Sequence, residues 1–172
     1  MSDTNDKAIS VLNELIETCK DGAKGFATAA EKADSTELKS LFSKYAAQRT
    51  SFAADLEGQV VSLRGKAAES GHVAAAVHRG WIDLKTVFTG NDDKALLNEC
   101  ERGEDYAKKA YQDALKEQLP ADVHAIVMRQ SLEVKAAHDK VRDLRNAANA
   151  AKTGEGTGHI PEDSDTGMAY RN

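Results

Sequence analysis

The chain is 172 residues long with a formal net charge of −5, and Leu, Ile, Val and Phe together supply only 32 of those residues. Alanine contributes another 28, with only two prolines and 5% aromatics, a balance that favours helices packed closely around a thin core and excludes an all-β fold. No run of about 18 apolar residues is present to span a membrane, and no basic cluster supplies the footprint of a nucleic-acid binder.

Met1 to Asp6 is polar and acidic, unlike a signal peptide, so a cytoplasmic location is expected. Cys19 and Cys100 lie far apart, without metal-like or redox-like spacing, and are expected to be reduced thiols on apolar faces.

A first helix is predicted from about Thr4 to Ala33. Its apolar stripe is Ala8, Val11, Leu12, Leu15, Ile16, Cys19, Ala23, Phe26, Ala27 and Ala30, at spacings of three and four. A second begins at Asp34, with Glu37 as its capping-box partner, and carries Leu38, Leu41, Phe42, Tyr45, Phe52, Leu56, Val60 and Leu63. A short crossover helix is predicted over about 73–88, where Val73, Val77, Trp81, Leu84 and Phe88 repeat in the same way. Asn91 is the expected cap of the next long helix, with Asp92 and Asp93 in its first turn. That helix buries Leu96, Cys100, Gly103, Ala107, Ala110, Tyr111 and Ala114, and ends at Leu119-Pro120. The last helix follows with the seam Val123, Val127, Gln130, Val134, Ala137, Val141, Leu144 and Ala148.

Two tight hairpins joined by one long crossover make a ferritin-like four-helix bundle over residues 1–152. Residues 153–172 hold four glycines and four acids with little to bury, and read as a flexible acidic tail.

Polar residues falling on the apolar stripes mark the candidate site. Arg49, Glu104, Gln130 and His138 project inward, and Arg49, Glu104 and His138 sit near the midpoints of their helices, so one buried polar layer is expected at mid-bundle. Ferritin-like proteins place metal at this level, using an inward Glu from each of two helices and Glu-x-x-His from each of the others. Here Glu14 and Glu17 project away from the first stripe. The Glu-x-x-His positions read Gln48-x-x-Ser51 and Lys135-x-x-His138. Only Glu104 and His138 remain as inward ligands, beside the fixed positive charge of Arg49, which argues against an anionic two-metal cage.

Two readings follow. In one, Arg49 and Glu104 form a buried ion pair whose hydrogen bonds Gln130 and His138 complete, fixing register. In the other, Glu104 and His138, with Arg49 beside them, hold a single Fe, Mn or Zn ion or a small anion. Glu99 to Asp105 forms an acidic patch whose outward members read as a solvated face, and Glu104 can also pair with Lys108.

Tyr45-Ala-Ala-Gln-Arg49, Val77-His-Arg-Gly-Trp-Ile-Asp-Leu-Lys85, Glu101-Arg-Gly-Glu-Asp105 and His138-Asp139 resemble a bacterial ferritin-like family, a four-helix-bundle domain of unknown function, over about residues 5–150. The resemblance implies a ferritin-like fold and an association with stress responses, with no established activity. The expected function is therefore a non-catalytic bundle acting through protein contacts, as a homodimer through helix faces, without a cofactor. The alternative is a metal-binding or redox protein with a reduced ligand set. A third reading places a small molecule in the crevice near His78 and Trp81.

Overall fold

The computed structural model describes residues 3–68, Trp81 and 92–154. Its four long helices are α1 (Asp3–Lys32), α2 (Thr36–Ser62), α3 (Asp93–Ala114) and α4 (Ala121–Gly154), and no strand occurs among the described residues. The predicted crossover helix, apart from Trp81, and the tail beyond residue 154 lie outside the described residues. Helix α4 continues two residues past the expected boundary at 152.

Side-chain contacts fix the directions of the helices. Lys7 near the start of α1 meets Glu117 just beyond the end of α3, while Asp55 and Gln48 of α2 meet Arg129 and Glu133 of α4. Each neighbouring pair is thus antiparallel. At the end of α2, Ala68 and Lys66 bond to Asn13 in the first half of α1. Helix α3 begins at the opposite end, beside the α1–α2 turn. The end of α2 and the start of α3 therefore lie at opposite ends of the bundle, as two hairpins joined by a crossover require.

The helix ends refine the predicted caps. Ser35, not Asp34, is the N-cap of α2; its hydroxyl accepts from the Leu38 amide at 3.4 Å. The Asp34 and Ser35 amides instead donate to the Asp93 carboxylate at 2.9 and 3.1 Å, so one acid at the start of α3 satisfies the turn between α1 and α2. Asp92, not Asn91, caps α3, accepting from the Lys94 amide at 3.0 Å. Helix α2 closes with Arg64 at φ 60, and the Gly65 amide donates back to the Val60 carbonyl.

The buried face of α1 also departs from its predicted stripe. Beyond Cys19 the buried residues are Gly22, Gly25, Phe26, Ala29 and then Ala33, while Ala27 is exposed. At Gly25 the reason is steric, since the Trp81 indole occupies the space a methyl would need, while Gly22 lies beside the Arg49 stem. Glu17, expected to point outward, is buried at 5% exposure.

Burial divides the core in two. One cluster gathers Leu12, Leu15, Ile16, Phe52, Leu56, Val60, Tyr111, Val123 and Val127. The other gathers Phe26, Phe42, Tyr45, Leu96, Cys100, Ala137 and Val141. Arg49 and Glu104 lie in sequence between the members of these clusters on their own helices, which sets them at mid-height.

Candidate functional site

Arg49 projects from α2 into this gap at 1% exposure and Glu104 meets it from α3 at 0%. One guanidinium nitrogen, Nη2, donates to both Glu104 oxygens at 2.8 and 2.7 Å. Nη1 donates to Gln48 Oε1 at 2.6 Å, and Gln48 in turn donates to Glu133 on α4 at 3.0 Å. The Arg49 charge is also flanked by the Phe26 and Phe52 rings, with centroids 5.8 and 5.6 Å away. Its Nε is buried without a hydrogen-bond partner.

Gly22 lies beside this stack, and a methyl there would sit 3.4 Å from Arg49 Cγ, in ordinary van der Waals contact with the stem. Burial pushes the Glu104 carboxyl above the usual carboxylate range, while the Arg49 charge and hydrogen bonds pull it back.

Gln130 and His138 are buried at 0% and 4% exposure, but their hydrogen bonds go elsewhere. Gln130 accepts from the Tyr111 hydroxyl at 2.8 Å and donates to the Phe52 carbonyl at 3.3 Å. Tyr111 is also 3.1 Å from Cys19 Sγ, so a thiol, a phenol and an amide form a buried chain below the ion pair. Desolvation pushes the Cys19 thiol up to about 11 and raises Cys100 and Tyr111 as well. Both cysteines are free and buried.

His138 faces the α3–α4 seam. Its Nε2 is 2.8 Å from Asp105 Oδ1, its Nδ1 is 3.1 Å from Asp139 Oδ1, and Lys108 Nζ stands 3.3 Å from Nε2. Lys108 pairs with Asp105 at 3.7 Å, and the Glu104 carboxylate is taken by Arg49. The residues completing Arg49 and surrounding His138 are thus Gln48, Asp105 and Asp139. Gln48 stands in the sequence at the first position of Gln48-x-x-Ser51, where Glu-x-x-His would be needed. By sequence Asp105 reads as part of the acidic patch, because a helical wheel cannot tell an outward acid from one facing a neighbouring helix.

Ferritin-type di-metal ligation does not fit the mid-bundle residues. Both Glu104 oxygens already accept from a buried guanidinium, and two divalent ions beside that fixed positive charge would need a more anionic cage than this pair leaves. Among the described residues, Glu101, Asp105 and His138 form a group whose ligand atoms lie within 4.8 Å of one another and could hold a metal ion.

Trp81 closes the α1–α3 side of the same region. Its indole lies against Gly25 and Gly103, so closely that a methyl on either glycine would overlap the ring, and it meets Phe26 edge-on with centroids 5.1 Å apart. His72, His78 and His159 lie outside the described residues. No helix among the described residues is long and apolar enough to cross a membrane.

Two solved structures share this architecture. One is a two-domain protein from Anabaena variabilis with DJ-1/ThiJ/PfpI-like and ferritin-like domains, at TM-score 0.65 and 14% identity; it aligns with 96% of this chain, which spans only 42% of it. The other is a dodecameric thioferritin, the bacterioferritin-related protein of Bacteroides fragilis, at TM-score 0.71 and 15% identity, covering 89% of this chain and 92% of that one. No curated protein matches. Residues 7–117 match the model of a family described as a domain of unknown function (DUF2383), and the chain belongs to that family.

Proposed function

We propose that the protein is a non-catalytic, stress-associated ferritin-like bundle that works through protein contacts. The Arg49–Glu104 pair carries this reading: it puts a fixed cation and its counter-ion at the level where a ferritin-like enzyme would need metal ligands. The stress association comes from the family resemblance.

The α4 surface supports the role of contacts. Ala121, Ala125, Met128, Leu132 and Ala136 are all exposed, at spacings of three and four along the helix. Leu132 and Met128 are 63% and 40% exposed, unusually open for large apolar side chains. A second copy of the chain is the occupant we assign to this stripe, and the Bacteroides fragilis protein of the same fold is dodecameric.

Oxidation of added Fe2+ in air, followed by absorbance, tests the non-catalytic part. The expected rate equals that of a control protein lacking metal sites. Rapid, saturable oxidation abolished by Glu104→Ala would overturn it.

A further inference from the structure

The α3–α4 seam holds a second polar group, separate from the Arg49–Glu104 pair. Glu101 and Asp105 stand one turn apart on α3 and share a face, while His138 reaches them from α4. The three ligand atoms converge within 4.8 Å of one another. Residues from two helices that the fold holds rigidly are better placed for this than loop side chains.

The imidazole environment points the same way. Each ring nitrogen of His138 faces a carboxylate: Nδ1 faces Asp139 at 3.1 Å and Nε2 faces Asp105 at 2.8 Å. With Nδ1 turned to Asp139, Nε2 is the ring nitrogen presented to Asp105 on α3. The arrangement of one carboxylate orienting a histidine toward further oxygen ligands is the outer-shell pattern of metal-bound histidine.

Protein cations already attend the group. Lys108 Nζ lies 3.3 Å from His138 Nε2, and Arg145 binds Glu101 at 3.0 Å. Their side chains are 30% and 29% exposed, so both have solvent to move into. The Asp105 side chain is 59% exposed, which leaves the group open to an ion from solution and to water as further ligand.

We propose that Glu101, Asp105 and His138 form a mononuclear site for a borderline divalent transition cation, with Asp139 orienting the imidazole and Lys108 competing for the ligands. One nitrogen and two carboxylates suit Zn2+, Mn2+ or Fe2+ better than Mg2+ or Ca2+, which favour all-oxygen shells. The group lies at the α3–α4 seam, open to solvent at Asp105, and leaves the Arg49–Glu104 pair of the bundle interior intact.

Titration of the full chain with ZnCl2 by calorimetry, and with CoCl2 by visible absorption, tests the site. We expect one ion per chain and a cobalt ligand-field band. His138→Gln and Asp105→Asn should abolish both signals, while Asp139→Asn should weaken Zn2+ binding about 10- to 100-fold. Lys108→Met should tighten it, which a purely structural salt-bridge network gives no reason to expect. Far-UV circular dichroism verifies that each variant stays folded. Absence of saturable binding, binding that survives His138→Gln or Asp105→Asn, or an affinity unmoved by Lys108→Met would overturn the proposal.

Discussion

Arg49 shows how a single buried charge is accommodated. Two Glu104 oxygens, the Gln48 carbonyl and two aromatic faces surround it, leaving only Nε without a partner. The inward direction of Arg49, Glu104, Gln130 and His138 was legible in helical periodicity, because angle around a helix follows from residue number alone. Their partners were not, because pairing depends on the rotation and depth of neighbouring helices. Thus Gln130 serves Tyr111 and His138 serves two aspartates. Cys19 was legible only as a small apolar residue, yet it closes the Tyr111–Gln130 chain. Its folded value of about 11 lies above the ordinary 9.0, so the thiol's contribution to stability is fully present below pH 9 and is lost as pH rises from 9 to 11. That loss amounts to about 3 kcal/mol. Urea unfolding at pH 8 and pH 10.5 should show a shallower decline for Cys19→Ala than for the parent chain, part of the parent's slope remaining through Cys100 and Tyr111. Equal declines would contradict the assignment.

Among the elements, α1 departs furthest from its predicted face. Alanine periodicity drew the stripe through Ala23, Ala27 and Ala30, whereas the helix buries Gly22, Gly25, Phe26 and Ala29. A hydrophobicity pattern gives glycine little weight, but close approach of bulky groups selects it. Gly25 and Gly103 line the slot that receives the Trp81 indole, on antiparallel helices far apart in sequence. Gly25→Ala and Gly103→Ala each gain about 1 kcal/mol of helix propensity. Overpacking costs about 1–3 kcal/mol, and the clash is with a rigid ring, so a net loss of stability is expected. Trp81 is the only tryptophan, so its emission reports the slot directly. Both variants should shift the emission to longer wavelength as the indole leaves its apolar bed. An unchanged spectrum at unchanged stability would mean that the slot is not what holds Trp81.

For the whole molecule, the bundle's topology followed from loop lengths and apolar stripes, since a tight turn forces an antiparallel pair and a long link permits the crossover. Assembly is a property of the outer faces. Multi-angle light scattering should give a dimer or larger species, and Met128→Lys with Leu132→Lys should reduce it to monomer; a monomeric parent chain at all concentrations would contradict the role of the α4 stripe. Internally, the two apolar clusters meet at one polar layer, and register between the hairpins depends on Arg49 and Glu104 finding each other. Equilibrium urea unfolding of Arg49→Met, Glu104→Leu and the double variant tests this most directly. Each single change should cost about 3–5 kcal/mol by stranding a buried charge, and the double change should cost much less than their sum. Single variants as stable as the parent, or a double variant with strictly additive losses, would contradict a bundle centre built on this ion pair.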